Sequence, residues 1–599
     1  MLKRFKERDP KQTIDVCKSI LSNLGLTVNE YFTHNTKNIW SGYIHIPEIG
    51  YATNGKGSTE DFCRASAYGE MMERIQNLGG VMKWNELTEE SQQFGNYRYF
   101  KDEKQIPIDS SIYEKYPYIM KDLESTYLSA DNEEASKEEI LDYLINYFKR
   151  DFCLAVPFYN VTTKEVEEVP YDLIGLLNGT NGMCAGNSTE EALVQGIAEI
   201  LERYTEFEIY RNNLTPPEVS KEYIKTKNLF LYELIQEVEE LSQCNLFVYD
   251  CSLGLGYPVI AIALMDRNDF RYRIQFGAHP LFDIALERCL TEVLQGYYNY
   301  DNYQKDRSLV DFSMEDRSLE FCNLEKRFRI GVGYSNSNWF NHTSSWEFEP
   351  WYFENKEYSN EIGLKHLTET IISNTSKNIL IRDNSVLGFP AYTIYIPGMS
   401  NNPSPIGFKV MKDNLNLRMI EELPSFKEYC KTDLSTWKDL CQIMISYIEN
   451  TNRRLAYYDT AIFMKIPNND IFLKAILYKE IGDLKASNMF IEELALTNKY
   501  CRAIYIDNKM LIAGKEEADR NNIIVKYLDY DALEFLKTYW RSPNYIDEIY
   551  NNMQHRTDVF IINNKLKSLK INSILYKFKE VQEECGSVDQ NYLKKIWIS

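Results

Sequence analysis

Gly57–Arg74 reads GSTEDFCRASAYGEMMER, and Gly186–Arg203 reads GNSTEEALVQGIAEILER. Both stretches open on glycine and small hydroxyl or amide residues, continue with helical spacing, and close on Glu-x-x-Glu-Arg. In the second, Ser188 followed by Glu191 forms the pattern of a capping box, which marks a helix start. At about 100° per residue, Glu191, Gln195, Glu199 and Glu202 fall within an arc of roughly 80°. Leu193, Val194, Ile197, Ala198, Ile200 and Leu201 take the opposite side. In the first stretch Ser66, Glu70, Glu73 and Asn77 share one narrow face. A third helix, read over Ala285–Gln295, places Arg288, Glu292 and Gln295 together.

Like charges three and four residues apart destabilise a helix by a few tenths of a kcal/mol per pair. A bound cation offsets that repulsion, and carboxylates without His or Cys partners suit a hard ion such as magnesium. The plainer alternative is that each acidic face is solvated, as charged helix faces ordinarily are. Two helices with similar lead-ins favour a shared role without deciding it.

Working outward, Ile14, Cys17, Ile20, Leu21 and Leu24 recur at helical spacing before Gly25, and Ile39–Ile46 is rich in strand formers. Ser136 and Glu139 form another capping box ahead of Leu141, Leu144 and Phe148. Pro258–Met265 and Arg271–Gly277 read as paired strands around Asp266–Asp269. The mixture predicts an α+β core of mixed sheets and acid-bearing helices over residues 1–415. Beyond it, strand signals become scarce. Leu434–Glu449, Ile471–Ile481 and Ala486–Leu496 carry apolar residues at three- and four-residue steps, with Gly482-Asp483 between the last two. Residues 416–599 therefore read as an all-α domain of stacked helical hairpins, similar to tetratricopeptide repeats.

The chain has 599 residues, more than one ordinary core accommodates. Its net charge of −21 argues against non-specific nucleic-acid binding, which needs clustered positive charge. It favours multivalent cations and basic peptides. The longest apolar run, Tyr257–Met265, is too short to span a bilayer. The start, MLKRFKERDPKQ, shows no secretory pattern. Twelve scattered cysteines without a C-x-x-C pair suit reduced, packed thiols in the cytoplasm. Gly50–Lys56 mimics a phosphate-binding loop, G-x-x-x-x-G-K, but Gly57 comes next where that loop needs Ser or Thr. His279, within Gly277-Ala278-His279-Pro280, reads as structural.

Asn54-Gly55-Lys56-Gly57 with Glu70-x-x-Glu73-Arg74, NGMCAGNSTEEALVQGIAEILERY (Asn181–Tyr204) and FGAHPLFDIALERCLTEVLQG (Phe276–Gly296) resemble the three signature blocks of the YcaO family. Asp250–Pro258 (DCSLGLGYP), Ile396–Ser400 (IPGMS) and the helical tail extend the resemblance over nearly the whole chain. It implies ATP and Mg2+ bound without a phosphate-binding loop. Glu70, Glu73, Glu199 and Glu202 match the family's magnesium carboxylates, and Glu191 and Glu292 match further acidic positions. Asn187, Arg203 and Arg288 match nucleotide contacts, the two arginines facing the transferred phosphoryl group. Lys6 and Thr13 match an N-terminal Lys and Ser, and Ser66 is carried over from its place one turn before Glu70. Cys184 stands where founding-type members have Ser, a poorer hydrogen-bond partner there.

The implied chemistry is amide activation. A nucleophile adds to a backbone amide carbonyl, the oxygen takes the γ-phosphate, and phosphate leaves. Azoline-forming members resemble one another in a proline-rich tail, whereas this chain ends Lys595-Ile596-Trp597-Ile598-Ser599. That places the resemblance with founding-type members, linked to β-methylthiolation of a ribosomal protein as accessory factors. It implies a protein or peptide substrate, no direct nucleic acid or membrane partner, and a homodimer formed through the tail. Two alternatives stay open: an azoline- or thioamide-forming peptide synthetase, and a non-catalytic interaction protein.

Overall fold

The computed structural model describes residues 5–48, 51–77, 100–128, 136–148, 150–268, 271–295, 333–335, 337–340, 343–402, 470–496, 498–541 and 588–598, with isolated positions such as Arg327. The chain divides into two compact units, Met1–Pro405 with Lys565–Ser599, and Ile406–Asn564.

Among the described residues the first unit holds three antiparallel sheets. Strands β1 (Asn29–Thr36), β2 (Ile39–Ile46) and β3 (Tyr51–Gly57) form the first. The second runs β4 (Lys104–Pro107), β5 (Phe152–Asn160), β11 (Leu380–Asp383), β12 (Ala391–Tyr395), β7 (Met183–Ala185), with β6 (Glu165–Pro170) also paired to β5. The third has β9 (Val259–Asp266) between β10 (Tyr272–Ala278) and β8 (Cys244–Asp250). Its hairpin pairs Met265 with Tyr272 and Val259 with Ala278, within a residue of the sequence reading.

The long apolar run is explained by β9. Successive side chains of a strand point to opposite faces. Val259, Ala261 and Ala263 enter one core with Leu193 and Ile197, while Ile260, Ile262 and Leu264 enter another with Leu231, Leu234 and Leu286. Both faces are buried, so no polar alternation is seen.

Five helices position the site: α1 (Pro10–Asn23), α2 (Glu60–Gln76), α3 (Thr189–Arg211), α4 (Phe282–Glu292) and α5 (Asn360–Thr375). Helix α4 starts three residues before the expected Ala285 and ends three before the expected Gln295. Thr59 caps α2 by accepting from the Phe62 N–H at 3.3 Å, and Ser188 caps α3 by accepting from the Glu191 N–H at 3.2 Å. The expected apolar face of α3 is fully buried, with Leu193, Ile197, Ile200 and Leu201 at 0% exposure. Ser136 and Glu139 exchange both hydrogen bonds of a capping box, at 3.0 and 3.2 Å.

The last residues return to the first unit, which a helical domain running from 416 to 599 does not anticipate. Gln590 accepts from the Asp383 N–H at 2.8 Å and donates to its carbonyl at 3.2 Å. Tyr592 donates to the Asp383 carboxylate, and Leu593 is buried in the core around α3.

In the second unit, helices at Asp470–Glu480, Leu484–Ala495, Lys499–Ile512, Glu517–Tyr527 and Tyr530–Phe535 enclose Ile491, Cys501, Ile504, Ile524 and Phe535. Gly482 turns between the first two with φ +91°. Leu434–Glu449 and the 415/416 boundary lie outside the described residues, apart from Lys438, Gln442 and Ile445.

Strand β3 is fastened tightly to α2. Thr53 donates to the Ala67 carbonyl at 2.8 Å, and a Cβ on Gly55 would lie 2.2 Å from the Cys63 carbonyl oxygen. Gly55→Ala is therefore expected to push β3 off α2 and destabilise the first unit by about 1–3 kcal/mol, the usual cost of overpacking. The urea midpoint of the variant measures it.

Candidate functional site

Helices α2, α3 and α4, strand β3 and the segment ahead of α1 enclose a cavity of about 490 Å³. Ser66, Glu70 and Glu73 reach it from α2, and Glu191, Glu199, Glu202 and Arg203 from α3. Arg288 and Glu292 come from α4, and Lys6, Thr13 and Asn187 from the edges. The acidic faces thus meet one another across a shared cavity.

Two expected positions lie elsewhere. Asn77 is buried below the cavity, accepting from Asn384 at 2.8 Å and Thr393 at 2.9 Å. Cys184 is fully buried and does not line the cavity. Its thiol donates to the Tyr392 carbonyl at 3.7 Å, because β7 turns this side chain beneath Gly196 of α3.

Sequence reasoning assigned no role to Lys56, Arg74 or Glu287, which also line the cavity, nor to Arg8. The stretch mimicking a phosphate-binding loop is strand: Asn54, Gly55, Lys56 and Gly57 pair with Tyr43, Gly42, Ser41 and Trp40. Lys56 projects from it onto Glu292. The final Arg of Glu-x-x-Glu-Arg was the available signal for Arg74. In all, seven glutamates and six Lys or Arg residues line the cavity.

The charges compensate one another locally. Arg74 bridges Glu73 at 2.9 Å and Glu70 at 3.4 Å, and Arg203 pairs with Glu199 at 3.2 Å. Arg288 lines the cavity without an ion pair among the described residues. Burial still pushes the carboxyls of Glu70, Glu73 and Glu202 up, against the pull of Arg74 on the first two and Arg288 on the third. Burial, then Arg288, brings the Lys56 ammonium down to about 8 despite Glu202, Glu70 and Glu199.

At the edge, Glu191 accepts from the Lys6 ammonium at 3.1 Å, the Glu7 N–H at 2.9 Å and the Asn187 amide at 3.0 Å. Only the Ser188 half of its expected capping box forms as read, since the carboxylate turns to the N-terminal segment. Thr13 donates to the Asn187 amide oxygen at 2.8 Å, and Asn360 of α5 donates to the Phe5 carbonyl and the Glu7 carboxylate, both at 2.7 Å.

Fold and cavity together describe an α+β protein that can hold a polyanion on hard cations with side-chain carboxylates instead of a backbone loop. Residues 54–400 match the family model described as YcaO cyclodehydratase, ATP- and Mg2+-binding. The match covers more than half of the chain, which belongs to the YcaO family. ATP and Mg2+ are accordingly the family's cofactors.

The chain is 30% identical over 395 residues to the ribosomal protein S12 methylthiotransferase accessory factor YcaO of Escherichia coli (strain K12), covering 64% of this chain and 63% of that one. It is 29% identical over 396 residues to an uncharacterized protein of Haemophilus influenzae, with the same coverages, 64% and 63%. The matched region thus spans about 63% of these relatives' lengths. Among solved structures it is similar to a heterocyclase in complex with substrate and cofactor, at 15% identity and a TM-score of 0.45, covering 67% of this chain and 53% of that one. It is also similar to YcaO from Methanopyrus kandleri bound with AMPPCP and Mg2+, at 18% identity and a TM-score of 0.40, covering 66% and 92%.

The donor set fits the family's cofactors. Glu70, Glu73, Glu199 and Glu202 offer hard oxygen donors, and burial has raised three of them, so added positive charge is favoured there. Among the described residues no group of three His, Cys, Asp or Glu side chains already forms a metal site. Arg74 engages Glu70 and Glu73, and Arg203 engages Glu199. No described helix is long and apolar enough to cross a membrane. Among the described residues none of the eight cysteines forms a disulfide, and all eight are buried.

The Glu191 tether yields a test. Burial raises its carboxyl, but Lys6, the Glu7 N–H and Asn187 outweigh burial and hold it below the ordinary carboxylate range. A depressed folded value stabilises above the unfolded one and is lost as pH falls through the folded one. Tethering is therefore complete at neutral pH and fails in acid. Glu191→Gln is expected to speed hydrogen exchange across residues 5–13 at pH 7 by about tenfold, given a charge-assisted bond worth about 1.5 kcal/mol. Exchange unchanged in that segment would show that another contact holds it.

Proposed function

We propose that this chain binds ATP with Mg2+ in the cavity and activates a backbone amide of a protein or peptide. The observation that carries the reading is the meeting of Glu70 and Glu73 of α2 with Glu199 and Glu202 of α3 in one cavity beside Arg288, which has no ion pair among the described residues. In this reading those four glutamates hold Mg2+. Lys6, Thr13, Ser66, Asn187, Glu191 and Glu292 contact the nucleotide. Cys184 is left out, because its thiol is buried away from the cavity.

ATP supplies the phosphoryl group that turns an amide oxygen into a leaving group, and Mg2+ supplies the charge that lets phosphates lie against carboxylates. Arg203 is oriented by Glu199, and Arg288 has its guanidinium available. Both act by fixed positive charge toward oxygens that gain negative charge.

The physiological role we infer is that of an accessory factor in β-methylthiolation of a ribosomal protein, acting in the cytoplasm as a homodimer through a tetratricopeptide-like second unit. The support is the name of the Escherichia coli relative, 30% identical over 395 residues. The family description, cyclodehydratase, favours a second reading, an azoline- or thioamide-forming synthetase. Proteome mass spectrometry with and without the protein separates them. The first expects loss of a methylthio group from a ribosomal protein, the second a change in a peptide's backbone.

Calorimetric titration is expected to show ATP binding that requires Mg2+, and equal affinity without the metal would sink the metal-bridged site. Glu199→Gln should keep the melting temperature and weaken binding by roughly tenfold, about 1.4 kcal/mol.

Arg288→Ala should slow ATP hydrolysis at saturating nucleotide by about tenfold or more, equivalent to about 1.4 kcal/mol of barrier. Unchanged steady-state hydrolysis would move Arg288 out of the phosphoryl site.

A further inference from the structure

His279 reads from sequence as structural, but the residue forms a wall of the cavity and is 8% exposed. It follows β10 directly, and three contacts fix it. Its backbone N–H donates to the Pro258 carbonyl at 3.1 Å. Its Nδ1 accepts from the Leu281 N–H at 3.0 Å. Its ring lies 5.7 Å from that of Tyr358, tilted by 51°.

A neutral imidazole that accepts at Nδ1 carries its proton on Nε2. Among the described residues Nε2 has no hydrogen-bond partner, so a nearly buried side chain offers an unused donor at the cavity. Burial, then Arg288 and Lys6, hold the imidazole well below its usual range, so it stays neutral. The ring is thus neither a base, with Nδ1 engaged and Nε2 protonated, nor a metal ligand at Nε2. Lys6 and Arg288 are the charges that face it; Lys6 is held by Glu191, and Arg288, without an ion pair among the described residues, calls for an anion alongside.

We propose that His279 is a fixed neutral hydrogen-bond donor, through Nε2–H, to an anionic oxygen of the phosphate chain of the bound nucleotide. This rests on the reading of the cavity as a nucleotide site. A ribose hydroxyl or an amide carbonyl would use the N–H but leave Arg288 without a counter-charge. His279 therefore selects for the phosphate chain by position without adding charge to a cavity that already holds six cations.

Calorimetry on the full-length protein, comparing ATP with Mg2+ against adenosine, tests the assignment. His279→Phe keeps an aromatic ring and removes the donor; it is expected to weaken ATP binding by about tenfold and adenosine binding by less than about twofold. His279→Gln places an amide N–H near the position of Nε2 and should restore ATP affinity to within about threefold. The chain has six histidines, so nitrogen-15 histidine labelling of the wild-type protein gives a readout independent of the variants' folding. The Nε2–H resonance of His279 should shift with ATP and not with adenosine. Wild-type ATP affinity in His279→Phe, an equal loss for ATP and adenosine, or a resonance indifferent to ATP would each overturn the assignment. Failure of the wild-type protein to bind ATP with Mg2+ would instead overturn the nucleotide reading itself, and the assignment with it.

Discussion

Carboxylates of like charge are crowded into one partly dry cavity, and the surrounding structure is organised to tolerate that crowding. Glu73 is 7% exposed, within reach of the fields of Glu70 and Glu199. Such a group survives in charged form only if paired. The pairing is arranged locally, by Arg74 directly after Glu73 and by Arg203 one turn after Glu199. Each acidic helix therefore carries its own counter-charge in the residue that closes Glu-x-x-Glu-Arg. Lys56 and Arg288 add cations from a strand and a third helix, which makes the balance depend on tertiary structure and not on one helix alone.

Holding those groups in place is the task of the core. Helix α3 has its apolar side against β10, β12 and α5, in the cluster that contains Ile274, Ile394 and Leu367. Its acidic side is aimed by that burial, since rotating the helix would expose leucine and isoleucine, each worth about 1.5–3 kcal/mol when buried. The N-terminus of α3 is fixed twice more. Thr189 bonds to the Tyr392 hydroxyl at 2.7 Å, and that hydroxyl bonds to Tyr592 at 3.2 Å. Residues from the far end of the chain thereby steady the helix that carries Glu191, Glu199, Glu202 and Arg203.

The features legible in the sequence are those set by short-range interactions. Helical periodicity, caps and the hairpin of β9 and β10 are local; the starts of α2, α3 and α4 and the hairpin fall within three residues of their expected bounds, whereas α3 runs on to Arg211, eight residues past Arg203. The acid faces were also legible, because Glu191, Gln195, Glu199 and Glu202 are set by rotation about a single axis. Whether such a face meets water or another acid face is a tertiary fact, and no spacing reveals it. The pairing of Arg327 with Glu206, across 121 residues, is hidden for the same reason. Asn77 shows the opposite failure. Its rotation fits the acidic face, but it stands at the C-terminal cap of α2, where its amide donates to the Glu73 carbonyl at 2.9 Å. The return of Gln590 and Tyr592 to Asp383 was invisible because single side chains make it, without periodic pattern.

The stretch that imitates a phosphate-binding loop shows why short patterns need their structural setting. In such a loop the glycines free the backbone so that its N–H groups can surround phosphate. Here β3 is paired along its length with β2. Gly55 and Gly57 serve close packing instead: a Cβ on Gly57 would come within 2.7 Å of the Cys63 nitrogen. That approach brings Lys56 to the cavity between α2 and α4. The same letters thus yield a lysine at an anion site by a different route. With backbone donors committed to the sheet, the capacity to hold a polyanion passes to side chains, and carboxylates can join them only where cations intervene. In the proposed nucleotide reading, the need for Mg2+ follows from the choice of strand over loop at Gly55–Gly57.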